Sequence, residues 1–539
     1  MADTDEERAG GARRDEPAQP DPGERASGTE DEHIPNADAA RAHTHTHTHT
    51  AETGTSKHGL DELIAERRAK AERLRESDPT AFPYSFHNAE PIAAILDAYA
   101  ILETGQETDD EHRVAGRIAA RRGSGKATFI DLIDRTGRIQ LHARADVLGE
   151  EAYERLASLD HGDLIGVDGA PLRSRRGELS LRVDSFRILG KALRPPPDKH
   201  HGLTDLETRY RRRELDLIAG EDVRKLFVDR AKIIAAIRSY LDGEGFVEVE
   251  TPVLQPLYGG ALARPFTTHH NELDRDLYLR IATELYLKRL LVGGLERVYE
   301  LGKDFRNEGV STKHNPEFTM VELYEAYADY NDAAARLEAL VRTAAVAAGY
   351  EGALDFASPW RRVGFAQAIF EATGIDVLAL RSDTALAQAI SERGLPVETA
   401  GAVWAQMADD LLSKHVEPSL RQPTFVFDYP VELSPFARAH RSAEGLVERW
   451  EAFAGGIEIA NAFSELNDPD VQRERFEAQR RLARAGGEEV QPYDEAFVEA
   501  LEQGMPPAGG VGVGIDRLVM LLTDRDSIRE VVLFPAMRS

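Results

Sequence analysis

From residue 112 to residue 190, apolar and polar residues alternate in short runs parted by glycine-containing turns. The runs are Thr128-Phe129-Ile130-Asp131-Leu132, Arg138-Ile139-Gln140-Leu141-His142 and Leu179-Ser180-Leu181-Arg182-Val183. A period of two puts successive side chains on opposite faces of a strand, and several short strands at this spacing suggest a small closed barrel. The segment holds 14 basic and 11 acidic side chains, a net of +3, inside a chain whose formal net charge is -28. A basic barrel in an acidic chain points to an OB-fold, which binds single-stranded nucleic acid in a charged groove and stacks bases on aromatics.

At 539 residues the chain is too long for one core, and two or three domains are expected. Residues 1–56 carry 13 acidic and 5 basic side chains and almost no large apolar ones, so they predict a disordered acidic tail. Its run His43-Thr44-His45-Thr46-His47-Thr48-His49-Thr50 reads as low complexity, with weak metal binding as the alternative. Ser56 is placed to cap a helix carrying Leu60, Leu63 and Ile64 and ending at Asp78-Pro79. A second helix starts at Pro91, with Ile92, Ile95, Leu96 and Tyr99 at helical spacing. Pro195-Pro196-Pro197 makes a stiff linker. Beyond it, helices predicted over 222–242, 283–292, 331–348 and 514–522 mix with strands in no regular repeat, which favours an α+β domain. The expected division is a tail over 1–56, a helical lead-in and barrel over 57–201, and a large domain over 202–539.

No run approaches the ~18 apolar residues of a membrane span, and the acidic start MADTDEERAGG has no apolar core segment. Without cysteine, neither disulfides nor thiolate metal sites are possible. A cytoplasmic protein with no membrane association is expected. Two glycine patterns imitate phosphate loops. In Arg122-Gly123-Ser124-Gly125-Lys126-Ala127-Thr128 the spacing fails, because Ala120 stands where the first glycine belongs and Ala127 replaces Ser/Thr. Gly509-Gly510-Val511-Gly512-Val513-Gly514 is a lone glycine pattern that Ile515-Asp516-Arg517 does not continue as a dinucleotide fingerprint.

Other strings are far more specific. Phe246-Val-Glu-Val-Glu-Thr-Pro252, Gly259-Gly-Ala-Leu-Ala-Arg-Pro-Phe266, Glu284-Leu-Tyr-Leu-Lys-Arg289, Phe305-Arg-Asn-Glu-Gly309 and His314-Asn-Pro-Glu-Phe-Thr319 are followed by Glu458-Ile-Ala-Asn-Ala-Phe-Ser-Glu-Leu466, Gly514-Ile-Asp-Arg517 and Leu533-Phe-Pro-Ala-Met-Arg538. From about residue 57 to the end the chain resembles the class II aminoacyl-tRNA synthetases, specifically the lysine enzymes, with all three signature motifs in order. The resemblance implies an OB-fold anticodon-binding barrel and a catalytic domain built on an antiparallel sheet flanked by helices. It also implies activation of L-lysine with ATP to lysyl-adenylate and pyrophosphate, then transfer to the 3′ end of tRNA(Lys). A homodimer is implied as well, through the first motif around residues 232–252.

The chemistry of these residue types fits that activity. Charge builds on phosphate oxygens as carboxylate joins α-phosphate, and fixed cations stabilise it. Arg306 matches the family arginine bridging the α-phosphate and the lysine carboxylate, and Arg517 the one near the terminal phosphate and adenine. Phe318 matches the residue that stacks on adenine; Glu308, His314 and Asn315 match positions around the nucleotide. Glu451 and Glu458 match the carboxylates that hold Mg2+, a hard cation that prefers such oxygens. Taken alone, they would read as a solvated face. A buried ammonium needs carboxylate partners: Glu322, Tyr324 and Glu465 match the residues that hold the ε-ammonium. Glu284, with the backbone near Gly260, matches the α-amino end. Asn461, Phe463 and Gly512 match positions lining lysine. In the barrel, Phe129, Gln140 and Glu178 match anticodon-reading positions, with Arg117 as a fourth; unpaired bases are read by stacking and on their edges. The alternative for Phe129 is barrel core.

The chain departs from the family pattern at Thr283, where proline is usual, and at Ala462, where glycine is usual and an added methyl near the pocket is expected. Lys303 and Glu214 are further departures. Two other readings stand beside the main one: a lysine-transferring enzyme that modifies protein or lipid, and a non-catalytic RNA-binding paralogue. Relatives that modify protein lack the barrel, lipid-modifying fusions carry membrane spans, and a decayed site would not keep Arg306, Glu451, Glu458 and Arg517.

Overall fold

The computed structural model describes residues 57–123, 125–197, 203–434, 436–484 and 491–538. The expected disordered tail and its histidine run, together with Ser56, lie outside them. The chain divides into two units, Met1–Glu62 and Leu63–Ser539. The described part of the first is the opening of a helix spanning Lys57–Ser77. The second helix, Ile92–Ala98, starts after Pro91 as its spacing predicts and packs Ile92 and Ile95 into the barrel core.

Five strands form the barrel: β1 (His112–Arg122), β2 (Ala127–Ile133), β3 (Arg138–Arg144), β4 (Leu164–Arg173) and β5 (Leu179–Gly190). They close in the order β1-β2-β3-β5-β4. Ile130, Leu132, Ile139, Leu141, Leu181 and Val183 fill the interior, so the odd-numbered partners on β2 and the even-numbered ones on β3 and β5 face outward. Arg122 ends β1 and Ala127 begins β2, its antiparallel partner, so the two ends of the first glycine pattern belong to strands of the barrel.

The large domain is built on one eight-stranded sheet. Its strands, with three shorter ones, are β6 (Val247–Glu248), β7 (Leu254–Gln255), β8 (Thr267–His270), β9 (Arg275–Leu279), β10 (Arg297–Phe305), β11 (Glu317–Ala326), β12 (Arg361–Gly364), β13 (Thr424–Pro430), β14 (Leu446–Ala454), β15 (Ile457–Ser464) and β16 (Ala508–Gly514). The order is β12-β13-β14-β15-β16-β11-β10-β6, while β7, β9 and β8 make a separate small sheet. Only the outermost pairs, β12–β13 and β10–β6, are parallel; the antiparallel centre is what the α+β reading anticipates.

Alternation makes this sheet two-sided. Val321, Leu323, Trp450, Ala452, Ala460, Ala462, Val511 and Val513 face a core closed by helices Glu221–Gly243, Tyr330–Ala348 and Ile515–Leu522. The intervening residues, Glu322 and Tyr324 on β11, Glu451 on β14, Asn461 and Phe463 on β15, and Gly510 and Gly512 on β16, look the other way. Ala462 is thus in the core, opposite Trp450 and Val511. Its methyl is on the far side of the sheet from Asn461 and Phe463, which corrects the expectation that it alters a pocket. The second glycine pattern is a central strand, not a loop, leading into the apolar helix Ile515–Leu522. No helix among the described residues is long and apolar enough to cross a membrane.

Candidate active site

The polar face of the sheet opens into a cavity of about 400 Å³. Fifteen of the sixteen large-domain site residues predicted from the sequence line it: Gly260, Glu284, Arg306, Glu308, His314, Asn315, Phe318, Glu322, Tyr324, Glu451, Glu458, Asn461, Phe463, Gly512 and Arg517. The sixteenth, Glu465, is fully buried just beneath, against Gly510.

One group around the cavity is cationic. Arg306 leaves β10 and returns toward β11, its backbone N–H donating to Pro316 O at 2.9 Å. Its guanidinium lies 5.1 Å from the Phe318 ring centre. Arg306 Nε is buried and donates to no partner among the described residues, an orphaned donor whose cost a bound anion would remove. Arg517, near the start of the last long helix, donates to Glu458 Oε2 at 2.9 Å and faces His314 Nε2 at 3.2 Å. Burial, then Arg517, lowers the His314 pKa, so the ring is a neutral acceptor. Asn315 spends its side chain on the loop itself, donating to Glu317 O at 2.6 Å and accepting from Ala536 N at 3.2 Å. Glu308 is exposed at the rim.

Glu451 and Glu458 sit on the two strands of a hairpin turned at Gly455 and Gly456. The spacing of seven is therefore not a helical face. A bulge between Ala452 and Phe453 pairs Phe453 with Glu458, and this extra residue returns Glu458 to the cavity side. Glu451 accepts from Tyr429 Oη at 2.7 Å and pairs with Arg449. Burial pushes its carboxyl up to about 7, with Glu458 adding to the rise and Arg449 opposing it.

The second group is acidic. Glu284 opens the helix Glu284–Val292, and Gly260 lies against it: a Cβ there would fall 3.0 Å from Glu284 Cβ, at a φ of +88. Glu322 accepts from the Thr283 backbone N–H at 3.2 Å, and Tyr324 Oη lies 3.4 Å from it. The departure from proline at residue 283 thus supplies a donor that proline lacks. Burial pushes Glu322 up to about 8, Asp304 and Glu284 contributing next. Glu465 is likewise pushed up to about 8 by burial, against the pull of Lys288. On β16 a Cβ at Gly510 would collide with Glu465 Oε1 and lie 2.5 Å from Tyr324 Cε1; here glycine is required by close approach.

Among the charged residues in and beneath this cavity that carry no role in the sequence reading, two stand against the substrate positions. Lys288 is fully buried between Glu284, at 2.6 Å, and Glu465. Its signal was the i,i+4 spacing from Glu284 on a helix. Arg449 lies two residues before Glu451 on the same face of β14 and donates to Asn461 Oδ1 at 3.1 Å and Ser434 Oγ at 2.8 Å.

On the barrel, Phe129 is not core. It is half-buried on the outer face, stacked on His142 with ring centres 4.7 Å apart and planes at 7°. Gln140, one step along the same face, donates to Glu178 Oε2 at 3.1 Å and accepts from Ser180 Oγ at 3.1 Å. Arg117 lies apart from this group, its Nη1 donating to Gly162 O at 2.7 Å.

With this geometry in place, comparison with known proteins is consistent across the chain. Residues 205–538 match the family described as tRNA synthetases class II (D, K and N), and residues 112–189 match the OB-fold nucleic acid binding domain. Proteins named lysine–tRNA ligase are similar over most of their length. That of Carboxydothermus hydrogenoformans is 49% identical over 89% of this chain and 98% of its own. Those of Moorella thermoacetica and Thermosynechococcus vestitus are each 50% identical, over 89% and 88% of this chain and 98% and 97% of theirs.

Proposed function

Because this chain belongs to the class II tRNA synthetases, among the lysine–tRNA ligases, we propose that its cavity is where L-lysine and ATP react, with the acidic group holding lysine and the arginine group holding ATP. The observation that carries this assignment is the pairing of buried, proton-retaining carboxyls (Glu322, Glu465) with an orphaned arginine donor (Arg306 Nε) around one cavity. Lysine is the amino acid whose far end answers the first, and a phosphate or carboxylate answers the second.

In this reading Glu284 and the backbone at Gly260 take the α-ammonium, Glu322, Tyr324 and Glu465 the ε-ammonium, and Asn461, Phe463 and Gly512 flank the chain between. Adenine stacks on Phe318, with Glu308, His314 and Asn315 around the nucleotide and Arg517 near its terminal phosphate. A lysine carboxylate oxygen attacks the α-phosphorus, and the bond to the pyrophosphate oxygen breaks. Arg306 neutralises the charge gathering on the phosphate oxygens, a contact strengthened by the burial of its Nε. The terminal ribose hydroxyl of tRNA(Lys) then attacks the carbonyl and AMP leaves.

Glu451 and Glu458 fit Mg2+: two hard-oxygen donors line one cavity, Glu458 adding to the proton affinity of Glu451, and phosphate would complete the set. Bound there, the ion would draw charge from the phosphate oxygens. The barrel face with Phe129, Gln140 and Glu178, and Arg117 beyond it, is assigned to the anticodon; stacking on a half-exposed ring and edge contacts to an amide and a carboxylate suit unpaired bases. The boundaries 1–56, 57–201 and 202–539 and a cytoplasmic place of action belong to the same proposal. So does a homodimer through the first motif, supported by exposed Val247 on the edge strand β6 and by exposed Val253 and Leu254 just after the motif. Sedimentation at micromolar concentration that finds only monomer would remove the dimer.

The assignment is tested with Arg306→Ala. Lysine-dependent exchange of labelled pyrophosphate into ATP is expected to slow by about 10²–10³, while lysine alone still raises the melting temperature. A rate near wild type would show that Arg306 is not at the reacting phosphate.

A further inference from the structure

Lys288 is the most deeply buried ammonium in the described chain to face the acidic group, and the reaction as derived leaves it unused. It sits at the middle of the helix Glu284–Val292, one turn after Glu284, its Nζ between Glu284 Oε1 at 2.6 Å and Glu465 Oε2, with the Phe436 ring centre 5.6 Å away. Burial works against its charge, but Glu284 and Glu465 together outweigh that and raise its pKa, so it stays an ammonium. Beyond the Lys288 ion pair, neither Glu465 oxygen accepts a hydrogen bond of good geometry from the described residues. Lys288 is therefore the group that orients Glu465 and pulls its carboxyl toward the ionised form against burial.

The balance of charge is informative. Three carboxylates face this space: Glu284 from the helix, Glu322 from β11 and Glu465 after β15. Tyr324 from β11 is neutral, its pKa raised by burial and then by Glu284, and Asp304 on β10, itself paired with Arg280 at 3.2 Å, adds to the negative field at Glu322 ahead of Glu284. When lysine binds and all three carboxyls ionise, Lys288 offsets one of them and leaves two negative charges for the two ammonium groups that the substrate brings. Without Lys288 the pocket would hold one charge too many, and a buried excess of that kind is removed by taking up a proton.

We propose that Lys288 is a positioning and specificity-determining residue: a permanent counter-ion that fixes Glu284 and Glu465 and sets the pocket's charge to match the two ammonium groups of lysine. This rests on the assignment of the acidic group to lysine. Lys288 touches no substrate atom and acts only through the two glutamates.

The test uses the full chain and three variants, Lys288→Met, Glu465→Gln and the double variant, in lysine-dependent pyrophosphate exchange across pH. Lys288→Met is expected to raise the KM for lysine on the order of 10²-fold, as for a broken buried ion pair, with the KM for ATP unchanged. The acid limb of its kcat/KM profile should move to higher pH by about one unit. The double variant should be no worse than Glu465→Gln within a factor of about three, because the two residues act as one unit. Since the chain contains no cysteine, Lys288→Cys can be alkylated with 2-bromoethylamine in denaturant and refolded. This restores an ammonium at one position and should recover the lysine KM even if Lys288→Met folds poorly. Unchanged lysine KM and pH profile in Lys288→Met, parallel loss of ATP and lysine affinity, or multiplying effects in the double variant would each overturn the proposal. If Glu465→Gln itself retains full activity, the lysine-pocket assignment has failed rather than the role of Lys288 alone.

Discussion

Lysine binding should expel protons from this protein. In the free pocket burial holds Glu322 and Glu465 up to about 8, and a carboxyl with such a value is about nine-tenths protonated at pH 7. An incoming ammonium favours the ionised form of both. Between one and two protons should therefore leave per lysine bound at pH 7, falling to about a few tenths at pH 9, where the carboxyls are already ionised. Isothermal titration of lysine in buffers of different ionisation enthalpy reads this number as a slope. The same shift has a sign in stability. A carboxyl raised from its ordinary 4.5 to about 8 contributes stability that is full below 4.5 and lost as pH rises through 8. The free protein should lose stability from this pocket across that window, and the rise in melting temperature given by lysine should grow over it. A slope near zero at pH 7, or a lysine effect that shrinks between pH 5 and 8, would refute the reasoning.

Other outcomes follow from particular contacts. Gly510→Ala should raise the lysine KM by about 10- to 100-fold, since its methyl would run into Glu465 and Tyr324. Gly512→Ala, whose Cβ would meet Met320 Cε at 3.1 Å, should do less; steady-state exchange with both variants compares them, and equal effects would contradict the packing argument. Phe129→Ala should raise the KM for tRNA(Lys) by about 5- to 150-fold through lost stacking and leave pyrophosphate exchange untouched. Loss of exchange would show that the barrel supports the catalytic domain instead.

Much of this was legible in the sequence because the chemistry is carried by short strings whose spacing survives folding. The face shared by Glu322 and Tyr324 follows from strand alternation, and Thr128 to Leu132 and Arg138 to His142 announce their strands by the same period. Three things were not legible. Ala462 is on the core side because β14 and β15 pair in a register no single strand reveals. Glu458 reaches the cavity through a bulge, a feature of two strands together. Lys288 gains its meaning from Glu465, which lies far along the chain and meets it only in the fold. The glycines of β16 sit between these cases. A glycine-rich strand says that something approaches closely, but only the structure says that Glu465 and Tyr324 do so at Gly510.

The most direct test of the central claim, that the acidic pocket and the arginine group together activate lysine, is exchange of labelled pyrophosphate into ATP, run on the full chain with each of the twenty amino acids in turn. Exchange is expected with lysine alone, at the reacting end of a cavity lined by Glu284, Glu322 and Arg306. Exchange with a different amino acid, or with none, would contradict it.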